Sequence, residues 1–330
     1  MGKKPIVLVT EPIADVGLEL LRRCCEVRTP WVEGRTYTDE DLKDSSAIIV
    51  RLVRVTESLL SKAADLKVVG RHGVGLDTVD LEAATLRRIP VVYTPNVNAN
   101  AVAEHAIHLM LSLARHTLEA DRAVRQSLPN IRDSLTGIEL RHKTLGVVGL
   151  GAIGLRVADI GYKGFEMRTL GYDPFIAPPP SHDFVKRVES LRELLQQADI
   201  VTLHVPLTPQ TRHIINSESL GWMKSSGLLV NTCRGAVIDT ASLAVALNGG
   251  RLAGAALDVF EAEPLPPDHP LQSAPRVVFS PHVAGSTIEA RETMAQLVAR
   301  QVVQVLNGER PDFLANPQVL AQVRLNTRRP

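Results

Sequence analysis

The 330 residues carry 37 lysines and arginines against 36 aspartates and glutamates, and a net charge of +1 gives no electrostatic pull towards nucleic acid or a membrane surface. A hydrophobic content of 45% supplies full cores for two domains, while no apolar stretch reaches membrane-spanning length. Cys24, Cys25 and Cys233 are too few for a disulfide framework, and residues 1–5 run into a short strand instead of a signal segment, so a cytoplasmic protein is expected.

Short β-branched runs alternate with amphipathic stretches from the start of the chain. The pattern predicts strands at 5–9, 47–50, 67–69 and 89–92, and helices at 13–23 and 56–63, the second capped by Thr56. That rhythm implies a parallel sheet with helical crossovers, an α/β arrangement. A long helix is expected over 99–125. Its Val102, Ala106, Leu109, Met110, Leu113 and Leu118 recur near 3–4 spacing and form a face fit to pack on a domain or a partner subunit. Pro129 and Gly137 break the pattern, so 127–141 reads as a loop. Further strands follow at 144–148, 169–172, 200–203, 228–230, 255–257 and 276–279, and a helix from 286 to about 307 leads into a Pro-containing tail. Pro178-Pro179-Pro180 reads as a stiff surface turn.

The most informative run is Gly149-Leu150-Gly151-Ala152-Ile153-Gly154. It lies between the apolar strand at 144–148 and a helix expected over 155–165, with Asp173 about 20 residues further on at the end of the next strand. Glycines there let a dinucleotide pyrophosphate approach the backbone at a helix N-terminus, where unpaired N–H groups favour negative charge. A carboxylate at Asp173 is placed to accept hydrogen bonds from both ribose hydroxyls, which favours NAD and repels the extra phosphate of NADP. No CxxC, HExxH or P-loop pattern is present, and no metal is expected.

With these residues the chain resembles the D-isomer-specific 2-hydroxyacid dehydrogenases, most closely their phosphoglycerate dehydrogenase branch. The likeness runs in order through the segment from Gly70 to Asp80, the glycine run and the segment from His204 to Thr211. It continues through Asn231-Thr232-Cys233-Arg234-Gly235, the segment from Ala256 to Pro264, and Ser280-Pro281-His282. The resemblance implies two doubly wound parallel-sheet domains. A Rossmann-type NAD domain, residues 100–285, is inserted into a flavodoxin-like substrate domain formed by 1–99 and 286–330. It also implies a homodimer, a small anionic 2-hydroxy or 2-keto acid substrate, and NAD as cofactor.

The family's catalytic arginine, glutamate and histidine map onto Arg234, Glu263 and His282. A 2-keto acid must be held by its carboxylate, its carbonyl polarised and its oxygen protonated. An arginine fork after a strand, and an imidazole oriented by a carboxylate, supply those functions. Each residue read alone has another meaning: an arginine after a strand is often a surface ion-pair residue, and Glu261 competes with Glu263. The family places its acid five residues beyond the aspartate of its DVF motif, which favours Glu263 over Glu261. By the same resemblance Asp258 lies near the nicotinamide, although a strand-end acid also caps turns. Thr232 and Cys233 flank the nicotinamide side, Cys233 as a packing thiol, and Ala284 and Gly285 approach the carboxamide. His204, Val205, Pro206 and Thr211 belong to the segment lining the adenosine and pyrophosphate side.

Substrate holding falls to the first domain. The Gly73-Val74-Gly75 turn resembles the family loop whose N–H groups bind the substrate carboxylate. Arg51, Arg71 and Arg132 match basic positions that the branch places near a distal phosphate, while Arg51 and Arg54 also read as a solvated edge. Leu52 departs from the small polar residue usual in the branch, and 127–141 lacks its common tryptophan. The end of the chain at Pro330 leads us to expect no regulatory module. The resemblance thus implies an oxidoreductase acting on 3-phosphoglycerate first, with hydroxypyruvate or glyoxylate next. An NAD-sensing corepressor-like binding protein, and phosphite or formate oxidation on the same scaffold, are the alternatives.

Overall fold

A computed structural model describes residues 4–326. The chain divides into two compact units, one taking the residues up to Asn98 and again from Ser286, the other Ala99–Gly285.

The first unit runs β1 (Ile6–Val9), α1 (Asp15–Arg22), β2 (Glu26–Arg28), α2 (Asp39–Lys43), β3 (Ala47–Val50), α3 (Glu57–Lys62), β4 (Val68–Arg71), α4 (Leu81–Leu86) and β5 (Val91–Val92). All pairings are parallel, in the order β2-β1-β3-β4-β5, the flavodoxin-like winding. Alternation along the strands feeds two cores. Val7, Val9 and Ile49 face one side, packed with Leu18 and Leu21 of α1; Leu8, Ile48 and Val50 face the other, packed with Leu59 and Leu60 of α3. Thr56 and Asp80 cap α3 and α4 by accepting the N–H groups of Leu59 and Ala83.

The second unit opens with α5 (Ala99–Ala114) and α6 (Thr117–Arg125), then β6 (Thr144–Val148), α7 (Ala152–Phe165), β7 (Arg168–Tyr172), β8 (Val185–Arg187), α8 (Leu191–Gln197) and β9 (Ile200–Leu203). It continues through α9 (Ser217–Leu220), β10 (Leu228–Asn231), α10 (Thr240–Asn248), β11 (Gly254–Leu257) and β12 (Val277–Phe279). Its seven parallel strands lie in the order β12-β11-β10-β9-β6-β7-β8. The chain starts at β6, winds outwards to β8 and crosses back to β9. The winding therefore reverses between β6 and β9, the switch point of a Rossmann-type sheet. The chain then re-enters the first unit as α11 (Ile288–Leu306), whose Val298 and Val302 pack against the sheet.

One expectation needs correction: the helix read over 99–125 is two helices. His116 takes a left-handed conformation (φ 53°) between them. The carbonyl of Ala114 at the end of α5 accepts the N–H of Ile138, and Gly137 lets that strand of chain approach. A tertiary hydrogen bond thus replaces helix propagation. The segment 127–141 is irregular apart from a short 3-10 turn at Asp133–Leu135. Among the described residues no helix is long and apolar enough to cross a membrane.

Candidate active site

Five strands of the second unit end level with one another. Val148 pairs with Leu203, Leu203 with Asn231, Asn231 with Leu257, and Leu257 with Phe279. The loops that begin at Gly149, His204, Thr232, Asp258 and Ser280 therefore leave the same carboxyl edge side by side, where open α/β sheets bind their ligands.

Gly149 sits at φ 94°, and a Cβ there would collide with the carbonyl oxygen of His204, so only glycine permits this turn. Gly151 caps α7 and faces open space, and Ala152, Ile153 and Gly154 form the first turn of the helix, which begins three residues earlier than the pattern suggested. The first N–H groups of a helix have no intrahelical partner, so this turn presents donors and the positive end of a 14-residue helix. Asp173 is buried. Its Oδ2 accepts the N–H of Leu150 at 2.9 Å, and its Oδ1 accepts those of Phe175 and Ile176, each at 2.9 Å. A carboxylate offers about four acceptor positions. Three are spent on the protein, on the N–H groups of Leu150, Phe175 and Ile176.

His204 bonds Thr202 Oγ1 through Nε2 at 2.8 Å, and burial pushes its imidazole down to about 3, so the ring is neutral. Val205 and Pro206 continue that loop. Thr211 closes it: its hydroxyl donates to the Pro206 carbonyl at 2.5 Å and accepts the Thr208 N–H at 2.8 Å. His204 Nδ1 and Thr232 Oγ1 are buried without a protein partner. Unspent polar atoms beside a glycine turn and a helix N-terminus fit a dinucleotide, with its pyrophosphate on the turn.

The loop after β10 is tied by Asn231. Its Oδ1 accepts the Cys233 N–H at 3.0 Å, and its Nδ2 donates to the Arg234 carbonyl at 2.9 Å. Burial pushes the Cys233 thiol up, in keeping with a packing role. Arg234 Nη1 donates to the Cys233 carbonyl at 2.6 Å. Gly235 lies so close to the backbone of Phe260 that a Cβ would overlap the Phe260 carbonyl carbon. The loop carrying Arg234 thus rests directly on the loop carrying Glu263.

Glu263 Oε2 lies 2.8 Å from Nδ1 of His282, and its Oε1 accepts the Phe260 N–H at 3.1 Å. Glu261 does not compete for this role, because its carboxylate faces His213 and Thr240. His282 adopts φ 54°, a conformation that costs a non-glycine residue energy and is held by its N–H bond to the Asp258 carbonyl at 2.7 Å. Asp258 is fully buried. Its carboxylate accepts Ser280 Oγ at 2.6 Å and the N–H groups of Val283 and Ala284 at 2.9 Å each, and His105 Nε2 is 3.6 Å away. Burial alone would push this carboxyl up; the bonds from His105, Ser280, Val283 and Ala284 outweigh it and hold it below the ordinary value. Ala284 is buried, and Gly285 follows it. His105 escapes a sequence reading because it sits inside the helical pattern of α5, where nothing in its spacing marks a polar role.

The first unit holds the remaining candidates. Arg51 follows β3, in a turn whose N–H groups at Arg51, Leu52 and Val53 donate to Glu11 at 2.6, 2.8 and 3.3 Å. Arg71 Nε donates to the Gly75 carbonyl at 3.0 Å and Nη1 to that of His72 at 2.6 Å, so the guanidinium shapes the turn containing Val74 and Gly75. Burial, with the charges of Arg51 and Arg71, pushes the His72 imidazole down to about 4. Burial and the charge of Arg291 push Arg51 down. Arg132, in the other unit, is exposed just before the 3-10 turn.

Known proteins resemble this chain in sequence and fold. Residues 107–284 match the family model described as D-isomer specific 2-hydroxyacid dehydrogenase, NAD binding domain. A glyoxylate reductase of Thermofilum pendens is 42% identical, with 96% of each chain covered. A D-3-phosphoglycerate dehydrogenase of Methanocaldococcus jannaschii is 40% identical over 98% of this chain but 62% of its own length. The crystal structure of the TT0316 protein from Thermus thermophilus superposes with a TM-score of 0.85 at 37% identity, covering 94% of this chain and 99% of that one. The chain belongs to the D-isomer-specific 2-hydroxyacid dehydrogenases, NAD-dependent oxidoreductases whose NAD-binding domain it carries.

Proposed function

We propose that the protein reduces a small 2-keto acid to its D-2-hydroxy acid, or runs the reverse reaction, with Arg234, Glu263 and His282 as its catalytic residues. The observation that carries this reading is the 2.8 Å bond between Glu263 Oε2 and His282 Nδ1 on the sheet edge that also bears the glycine turn. An ionised carboxylate only accepts hydrogen bonds, so Nδ1 carries a proton and Nε2 is the nitrogen that exchanges one with substrate. In reduction Nε2–H protonates the keto oxygen; in oxidation neutral Nε2 takes the hydroxyl proton. The Arg234 fork grips carboxylate and keto oxygen together and stabilises charge growing on the oxygen. Bound NADH supplies the hydride.

Around it, Gly149, Gly151, Ala152, Ile153 and Gly154 hold the pyrophosphate and Asp173 the ribose. His204, Val205, Pro206 and Thr211 line the adenosine side, and Thr232, Cys233, Asp258, Ala284 and Gly285 the nicotinamide side. The unit formed by 1–98 and 286–326 is the substrate unit. Its Arg51, Arg71, Val74 and Gly75 bind the anionic end of the acid; Arg132, in the NAD-binding unit, is a separate basic candidate for the substrate. Arginine charge concentrated around a neutral His72 supports this, since such a cluster favours an anion.

Two substrate readings follow. Glyoxylate or hydroxypyruvate is supported by Glu11, whose carboxylate occupies the N–H groups of the turn at 51–53 and sets a negative charge beside Arg51, which disfavours a second anionic group there, and by exposed Leu52 in that turn. The Thermofilum relative is named a glyoxylate reductase. Phosphohydroxypyruvate, the keto acid of 3-phosphoglycerate, is supported by the arginine cluster. A steady-state screen of glyoxylate, hydroxypyruvate, phosphohydroxypyruvate and pyruvate with NADH and NADPH separates them. Turnover of none of these acids overturns the proposed activity.

The proposed homodimer rests on α6 more than on α5. The apolar face of α5 is consumed within its own unit by β6, α7 and their neighbours, whereas α6 leaves Leu118 45% and Val124 80% exposed. Light scattering at micromolar concentration should give twice the chain mass, and Val124→Lys should lower it; a monomer in the unmodified protein contradicts the proposal.

A further inference from the structure

A second cluster of titratable side chains lies beside the catalytic loops and belongs to none of the roles assigned above. His213 Nε2 is 2.6 Å from Glu261 Oε1. The other oxygen of Glu261 accepts the hydroxyl of Thr240 at 2.5 Å and the Thr240 N–H at 3.3 Å. His269 Nε2 stands 3.3 Å from the same hydroxyl. These residues come from separate segments. His213 donates its backbone N–H to the carbonyl of Ala236 at 2.9 Å, two residues beyond Arg234. Ile215 and Ile238 form a parallel bridge directly behind it, and Asp239 returns its N–H to Ile215 at 2.8 Å. Thr240 opens α10, capped by Asp239. Glu261 stands two residues before Glu263.

We infer that Glu261, clamped between His213 and Thr240, is a positioning residue that sets the distance between the Arg234 turn and the Glu263–His282 pair. One end of the clamp is fixed to the chain just after Arg234, the other to the chain just before Glu263. Gly235 lying against Phe260 forms the floor between them. Glu263 and His282 are half-exposed, and the carboxylate of Glu263 is tied, besides His282, to the Phe260 N–H of its own segment, so its placement depends on how firmly the backbone at 259–263 is anchored. The carboxylate of Glu261 is suited to anchor it: burial pushes this carboxyl up, but the bonds from Thr240 and His213 outweigh burial and keep it ionised. His213 holds φ 51°, a conformation that persists only where surroundings fix it.

The inference rests on the proposed roles of Glu263 and His282, so its test includes a readout independent of turnover. Ring-15N shifts of His282, identified by their loss in His282→Asn, report whether Nδ1 is bonded to Glu263. In Glu261→Ala these shifts should move towards those of Glu263→Gln, and in the Glu263→Gln background Glu261→Ala should move them no further. In parallel, kcat for the preferred keto acid should fall about 10-fold in Glu261→Ala, with the Kd for NADH within about twofold of the parent, and by less than about twofold in the Glu263→Gln background. His213→Gln and Thr240→Val, which remove one arm each, should give smaller losses of the same kind and serve if Glu261→Ala does not fold. Unchanged His282 shifts in these variants, or full additivity with Glu263→Gln, overturn the inference. A protein that shows the coupled shifts yet reduces no keto acid refutes the proposed activity and leaves the clamp standing.

Discussion

The buried carboxylate of Asp258 accepts the hydroxyl of Ser280 at 2.6 Å, and the same hydroxyl lies 2.9 Å from Nε2 of His105 on α5. One oxygen atom therefore joins a helix of the NAD-binding unit to the loop that presents His282.

The first prediction follows from that shared hydroxyl. In the folded protein Asp258 is held below its ordinary value of 3.8. It thus contributes stability at pH above that value and loses the contribution as pH falls through the folded value. Ser280→Ala or His105→Leu each removes one side-chain donor while the N–H groups of Val283 and Ala284 stay in place, so the balance shifts towards burial and the carboxyl rises. Stability should drop by about 1–3 kcal/mol at neutral pH, the cost of losing one hydrogen bond to a buried charge, and acid unfolding should begin at higher pH. Melting temperatures across the range from mildly acidic to neutral check this; superimposable curves for parent and variants would contradict it.

Gly235→Ala should separate the two catalytic loops. A Cβ there overlaps the Phe260 carbonyl, so the backbone must shift by a good fraction of an ångström. Misplacement of that size costs about 100-fold in kcat/KM, and the loss should fall on kcat, with the glycine turn and NADH binding intact. Retention of more than about a third of the parent kcat would show that the loops do not need this contact.

Asp173→Asn tests cofactor choice. The variant keeps the shape of the side chain but sets an amide among the N–H groups of Leu150, Phe175 and Ile176 and removes the charge proposed to face the ribose. Catalytic efficiency with NADH should fall about tenfold or more, while preference over NADPH narrows by a similar factor. A protein that uses both cofactors equally before mutation would remove the role assigned to this carboxylate.

Much of this arrangement is legible in the residues. The glycine run, the paired strand and Asp173 announce the dinucleotide turn because close approach to phosphate demands glycine at fixed places. Arg234, Glu263 and His282 are legible only through the order of the family motifs, since arginine, glutamate and histidine after strands have ordinary uses elsewhere. The strands β2 and β8 escape the pattern: each is three residues long at a sheet edge and largely polar. The break at His116 is invisible because its cause, the Ile138 N–H on Ala114, lies far along the chain. The same holds for His105 and for the partners of Glu261, whose roles depend on which side chains the fold brings opposite them. The three N–H groups that occupy Asp173 are equally hidden, because backbone donors leave no mark in a sequence.

The most direct test of the central claim is hydride transfer by His282→Asn under single-turnover conditions, with the keto acid that the parent reduces fastest. Asparagine keeps a hydrogen bond to Glu263 but has no proton to exchange. The account predicts a rate about a thousandfold below the parent with NADH affinity nearly unchanged. A rate within about threefold of the parent would contradict it.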